Sequence, residues 1–85
     1  MTKKAIVIGA TSGIGLEVAR FLAVRGYSVG IAGRRVERLQ EIVETTDGIV
    51  AWQQIDVDSD DATEGLHELI GKMGGMDLYF HSSGI

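Results

Sequence analysis

Three glycines are closely spaced near the start of the chain, between an apolar run and a segment with helical periodicity. They occur in the pattern G-x-x-x-G-x-G, as Gly9-Ala10-Thr11-Ser12-Gly13-Ile14-Gly15. Glycines at such a junction permit a tight turn, bring backbone N–H groups close to a pyrophosphate, and let the helix pack closely on the sheet. The helix N-terminus adds a partial positive charge. The pattern therefore favours a phosphate site; the alternative is a turn-and-cap cluster that binds nothing.

Two better-known phosphate patterns do not fit this loop. No Gly-Lys-[Ser/Thr] follows it, so it is not a P-loop. It also departs from G-x-G-x-x-G, because Val18 stands where a third small residue would be.

The charged residues are unevenly distributed along the chain. Residues 1–40 carry a net charge of +5 and residues 41–85 carry −9, which together give −4. Such a split can mark an anion site in the first half, although ordinary helix faces would also produce it. No broad basic patch is present, which disfavours a duplex nucleic-acid partner.

Other classes of protein are disfavoured by what the sequence lacks. Absence of cysteine excludes a disulfide framework, a thiol nucleophile and a Cys-ligated zinc. His67 and His81 are far apart, which argues against a metal site. The apolar run 5–8 is too short for a signal peptide, and no stretch approaches the ~20 residues of a membrane span. We therefore expect a cytoplasmic protein without a membrane partner.

Apolar periodicity predicts the elements that would position the loop. Short β-branched or apolar runs predict strands over 5–8, 27–32, 49–55 and 76–81. Helices are predicted between them, the first with an apolar face of Ile14, Val18, Phe21 and Leu22, and the third with Ser59 as its N-cap. The order βαβαβαβ predicts an α/β fold, a three-layer Rossmann-type parallel sheet.

Right-handed crossovers limit how the four strands are arranged. If the third crossover returns past the first strand, the strand order is 3-2-1-4, half of a doubly wound fold. The crevice between strands one and four is then the topological switch point, where ligands bind. Periodicity leaves open a continued order 1-2-3-4.

The loop resembles the cofactor loop of the short-chain dehydrogenases/reductases, and the resemblance extends along all 85 residues. It implies binding of a nicotinamide dinucleotide. Gly9, Gly13 and Gly15 match the motif glycines, and Thr11 belongs to the matching loop. Ser12 and Ile14 fall at positions that line the phosphates.

The segment after the second strand bears on the choice of dinucleotide. A fold that binds NAD usually has Asp or Glu on the ribose 2′-OH there, whereas this chain has Arg34-Arg35 after Gly33. Arginine suits phosphate, and a bound 2′-phosphate would relieve the unfavourable placement of two cations at a helix N-terminus. The same Gly-Arg-Arg resembles the family's NADP pattern, so we predict NADP(H) over NAD(H). The alternative is two solvated arginines, one pairing with Glu37 or Glu41.

The resemblance implies two further contacts with the dinucleotide. Asp56-Val57 is similar to the family's pair that binds the adenine amino group; the alternative is a turn carboxylate. His81-Ser82-Ser83-Gly84 stands where the family has Asn-Asn-Ala-Gly beside the ribose, and only Gly84 matches strictly, with Ser83 as its neighbour. For His81, a packing or hydrogen-bonding role is favoured over that of a catalytic base.

The family's catalytic Tyr-x-x-x-Lys is not found in this sequence. The residues four positions after Tyr27 and Tyr79 are Ile31 and Ser83, so no catalytic residue can be assigned. We expect residues 1–85 to be a single NADP(H)-binding Rossmann half-domain, truncated after strand four, that binds cofactor without turnover. We also expect self-association or a missing C-terminal half, because strand four would be an apolar edge. The alternatives are a non-catalytic dinucleotide-binding module and an interaction fragment with an empty loop.

Overall fold

The computed structural model describes residues 2–10 and 13–82. Four strands alternate with three helices as predicted, and the bounds of the strands differ from the predicted ones by at most two residues. The elements are β1 (Lys4–Ile8), α1 (Gly13–Val24), β2 (Ser28–Gly33), α2 (Val36–Thr45), β3 (Ile49–Gln54), α3 (Ala62–Met73) and β4 (Leu78–His81).

The four strands form one parallel sheet in the order β3-β2-β1-β4. This order confirms the 3-2-1-4 prediction and excludes the 1-2-3-4 arrangement. Strand β1 is interior, with Ile6 in register between Gly30 of β2 and Tyr79 of β4. Burial on both faces explains why the 5–8 run has no polar residue.

Helices cover both faces of the sheet, which makes the fold three-layered. Ala5 and Val7 of β1 pack in the core beneath α1 and α2, whereas Ile6 and Ile8 pack with Leu69 and Met73 of α3. The first two crossovers thus share one face, and the third lies on the opposite face, as right-handed connections require.

The predicted apolar face of α1 is partly wrong. Only Leu22 of the predicted four is buried; Ile14 is 68% exposed and Phe21 is 55% exposed. The helix faces the sheet with Gly15, Leu16, Ala19 and Leu22. Gly15 and Ala19 bring the helix axis close to the sheet, and Ile14 and Phe21 are left on its flank.

The predicted N-cap of the third helix is also wrong. Helix α3 begins at Ala62 with Asp61 as N-cap, and no side chain caps it. The Ser59 hydroxyl instead bonds the Asp61 carboxylate within the preceding turn. Gly65, inside this helix, allows a close approach to β3, because a Cβ there would lie 2.9 Å from Ile55 Cγ1.

The two outer edges of the sheet differ in chemistry. On β3, the Lys72 ammonium donates to the Trp52 carbonyl oxygen at 2.9 Å and lies 5.5 Å from the indole centroid. On β4, Leu78 and Tyr79 are each about two-fifths exposed and no charged side chain lies within the strand. The β3 edge is thus occupied by a charge, and the β4 edge is apolar.

Candidate functional site

The turn from β1 to α1 is fixed by backbone contacts. The Gly9 and Ala10 N–H groups both donate to the Ala32 carbonyl of β2, at 2.8 and 3.1 Å. Gly9 has a φ of +82°, and a Cβ there would lie 2.6 Å from the Ser82 carbonyl oxygen. The end of β1 is therefore held between β2 and the segment after β4, with no room for a side chain.

Helix α1 starts directly on this turn. A Cβ at Gly15 would overlap the Gly9 carbonyl, at 2.8 Å from its carbon atom. Gly13 begins the helix, and Ile14 is exposed beside it. This backbone approach fits a pyrophosphate at the helix N-terminus, since a side chain at Gly9 or Gly15 would displace the turn. Thr11 and Ser12, the other predicted residues of the loop, lie outside the described residues.

The two predicted arginines lie at the start of α2. Arg34 and Arg35 directly follow β2 and are exposed, and Arg35 is the helix N-cap without a side-chain cap bond. In residues 2–10 and 13–82 neither arginine forms an ion pair. The ion pair at the start of α2 joins Glu41 to Arg38 instead. The pairing of Arg34 or Arg35 with a glutamate is therefore not formed.

A surface cleft of about 560 Å³ opens at this helix start. It brings together two arginines, Arg35 and Arg38, at the positive end of the helix, a combination suited to a phosphate group. The residues that line it are Arg35, Val36, Glu37, Arg38, Glu41 and Gln54.

Sequence reasoning missed Gln54. This last residue of β3 is in register with Gly33, and its Nε2 donates to the Arg34 carbonyl oxygen at 3.2 Å. The alternation along β3 puts Gln54 on the same face as Trp52, which is a signal in the sequence. Which residue of the β2–α2 turn it reaches depends on the register, which the sequence does not reveal.

Asp56 and Val57 lie in the turn after β3. The Asp56 carboxylate accepts a hydrogen bond from the Asp58 N–H at 3.0 Å, and the Asp56 carbonyl accepts one from the Ser59 N–H at 2.9 Å. One carboxylate oxygen, Oδ1, thus stabilises the turn, and the contact of Asp56 with adenine stays a prediction.

Val57 lines a second, smaller cleft of about 160 Å³, which lies beside the start of α3 and the end of β1. Its walls are mostly apolar and come from three strand ends and from α3. They are formed by Ile8, Ile55, Val57, Ala62, Thr63, Leu66 and Tyr79.

The segment after β4 returns to the end of β1, where the Ser82 N–H donates to the Ile8 carbonyl oxygen at 2.9 Å. His81 is exposed, with its ring 6.3 Å from that of Tyr79. Ser83 and Gly84 lie outside the described residues. In the part of the chain that the structure describes, no group of His, Cys, Asp or Glu side chains could hold a metal ion, and no helix is long and apolar enough to cross a membrane.

Comparison with known proteins agrees with this geometry. The family model for short chain dehydrogenases matches residues 3–85. An uncharacterized oxidoreductase of Listeria monocytogenes is 38% identical over 87 residues, covering 98% of this chain and 35% of the relative. The chain therefore belongs to the short-chain dehydrogenase/reductase family, and it spans about a third of the length of that curated relative.

Solved structures of the family share the fold. An actinorhodin polyketide ketoreductase crystallised with NADPH is 33% identical, with a TM-score of 0.78 over 95% of this chain and 33% of its own. An alcohol dehydrogenase from the archaeon Thermococcus sibiricus, complexed with 5-hydroxy-NADP, is 28% identical, with a TM-score of 0.80 over 93% of this chain and 36% of its own.

Proposed function

We propose that this chain is the NADP(H)-binding portion of a short-chain dehydrogenase/reductase. When complete, such an enzyme would transfer hydride between nicotinamide and a carbonyl or alcohol substrate. The observation that carries the proposal is the placement of Arg34 and Arg35, which form no ion pair within the described residues, at the α2 N-terminus, on the same sheet end as the glycine turn.

Each part of the site has a separate binding role in this proposal. The glycine turn, including Thr11, Ser12 and Ile14, receives the pyrophosphate on its backbone N–H groups. Asp56 and Val57 contact the adenine, beside the apolar cleft at the start of α3. Ser83 and Gly84 flank the ribose through their backbone.

In this proposal the side chains of Arg34 and Arg35 determine the preference for NADP(H) over NAD(H). A 2′-phosphate on the adenosine ribose would accept hydrogen bonds from Arg34 and Arg35 and would offset their repulsion from the positive end of α2. NADH has a hydroxyl at this position, which leaves both guanidinium groups without a partner. NADPH and 5-hydroxy-NADP in the two similar structures support this assignment.

Bound nicotinamide would supply the hydride, and these residues would hold the dinucleotide without supplying the proton. The chain has no Tyr-x-x-x-Lys, so we assign it no catalytic residue. Binding without turnover is the expected behaviour of the 85-residue chain.

Calorimetric titration with NADPH and NADH tests the proposal. We expect NADPH to bind at least ~10-fold more tightly, because bonds to charged groups contribute about 1.5–3 kcal/mol each. The preference should be lost in Arg34→Ala. Tighter binding of NADH, unchanged by that substitution, would overturn the assignment.

A second proposal concerns the exposed β4 edge and the protein's partners. Apolar side chains on an unpaired edge strand favour association, so we propose that β4 is covered by a second copy of the chain or by a C-terminal half. We place the protein in the cytoplasm. A monodisperse monomer in light scattering, with well-dispersed amide resonances, would contradict self-association of the 85-residue chain.

A further inference from the structure

The turn that carries the arginines has few attachments to the rest of the protein. At its start, the Gly33 carbonyl accepts the Ile55 N–H at 2.9 Å; at its end, the Arg35 carbonyl accepts the Leu39 N–H at 3.0 Å. The Arg34 carbonyl lies between these two backbone bonds. Among the described residues, its only hydrogen bond is the one from the Gln54 side chain.

We infer that Gln54 is a positioning residue for recognition of the 2′-phosphate. The inference rests on the proposed function, because it assigns Gln54 a role only if Arg34 binds that phosphate. The side-chain amide fixes the peptide plane after Arg34 relative to β3. It therefore restricts the directions in which the guanidinium can point.

The position of Gln54 limits its effect to one part of the cofactor. It lines the cleft at the α2 N-terminus. No hydrogen bond joins it to the described residues of the glycine turn. Removing its amide should therefore weaken the binding of ligands that carry a 2′-phosphate and leave binding at the pyrophosphate site unchanged.

The neighbouring glutamine is a matched control. Gln53 is in register with Ala32, on the α3 side of the sheet, and its Nε2 donates to Glu68 Oε2 at 3.0 Å. Gln53→Ala removes the same chemical group and a hydrogen bond of similar length from the same strand. It does so on the face away from the arginines.

The experiment titrates the full chain with adenosine 2′,5′-bisphosphate and adenosine 5′-monophosphate, and records the thermal midpoint of each variant. In Gln54→Ala, we expect the dissociation constant for the bisphosphate to rise roughly 3- to 10-fold, the value of one ordinary hydrogen bond. The constant for the monophosphate should change less than about 2-fold. In Gln53→Ala the ratio of the two constants should stay at the wild-type value, whatever the change in thermal midpoint.

A charged variant tests the same point with a larger expected effect. Gln54→Glu cannot donate to the Arg34 carbonyl when ionised and places a negative charge in the cleft. We expect a loss of bisphosphate affinity greater than in Gln54→Ala, and a loss that shrinks as salt is added.

The outcomes separate this inference from the function on which it rests. A wild-type chain that does not prefer the bisphosphate would overturn the proposed cofactor choice, and the role of Gln54 with it. If the wild type has the preference and both Gln54 variants keep it, the role of Gln54 alone is overturned. Equal weakening of both nucleotides in Gln54→Ala would also overturn it, because that result indicates a general structural role.

Discussion

The turns after β1 and β2 lie side by side at one end of the sheet but are built differently. In the β1–α1 turn, Ala10 is buried and the backbones of Gly9 and Gly15 are in direct contact, with no space for a Cβ. In the β2–α2 turn, Arg34 and Arg35 are exposed, and the Arg34 carbonyl accepts one side-chain hydrogen bond, from Gln54. The first turn is determined by steric fit, and the second by exposed charge.

This difference corresponds to what each turn would recognise. A pyrophosphate is common to all nicotinamide dinucleotides, and a rigid backbone turn suits a group that never varies. A 2′-phosphate is present in one cofactor and absent from the other, and exposed side chains can distinguish the two without altering the fold. Changes in the first turn should affect stability and both cofactors, whereas changes in the second should affect only the choice between them.

The largest effect is expected for Gly15→Ala. Its Cβ would overlap the Gly9 carbonyl, and overpacking of this kind costs up to about 3 kcal/mol. We expect a lower midpoint in denaturant unfolding and loss of binding for NADPH and NADH alike. Gly71→Ala is the control, since a Cβ at that helical glycine meets nothing within 4 Å. The Gly71→Ala substitution should raise the free energy of unfolding by roughly 0.5–1 kcal/mol. If the Gly15→Ala chain were as stable as the wild type, steric fit would not determine the structure of the first turn.

A more selective effect is expected for Arg35→Ala. Because a charge-assisted bond to phosphate is lost, the dissociation constant for NADPH should rise by roughly 10- to 100-fold. The constant for NADH should change by less than about 2-fold, and calorimetry measures both. Arg20→Ala on α1 is a matched control, because that exposed arginine lies away from the α2 start and has a 3.9 Å contact with Glu17. Equal losses for the two cofactors would show that the second turn, like the first, acts through shape.

Smaller still is the change expected for Asp56→Ala. The substitution removes the bond from the Asp58 N–H in an exposed turn, worth about 0.5–1 kcal/mol of stability. If Asp56 also contacts adenine, the affinities for NADPH and NADH should both fall by the same few-fold factor. If the ratio of the dissociation constants for NADPH and NADH changed instead, this turn, like the arginines, would take part in the choice between the two cofactors.

The fold was largely predictable because burial on both faces leaves a plain pattern in the sequence. The uninterrupted apolar run of β1 indicated an interior parallel strand, and right-handed crossovers then reduced the strand order to few arrangements. The face of α1 was not predictable in the same way. Periodicity gives weight to large apolar residues such as Phe21, whereas close packing on this sheet selects Gly15 and Ala19.

The candidate site was predictable where residue type alone carries the chemistry. Glycines after a strand and arginines at a helix start could be interpreted without coordinates. Gln54 could not, because its role depends on the register between β2 and β3. Ser59 was misassigned for a related reason: a hydroxyl near a helix start caps it only if the helix begins at the next residue, and α3 begins at Ala62.

Lys72 on the β3 edge has a consequence for how many chains could join. Among the described residues, β3 and β4 are the two edge strands, and on β3 the Lys72 ammonium occupies the Trp52 carbonyl. Two chains joined through β4 would form a closed pair whose outer edges are both β3 edges, each protected by a lysine. Loss of the Lys72 charge would leave two edges open on every chain, and head-to-tail joining without closure produces filaments. If copies of the chain do join through β4, a single ammonium group would then separate a dimer from a polymer.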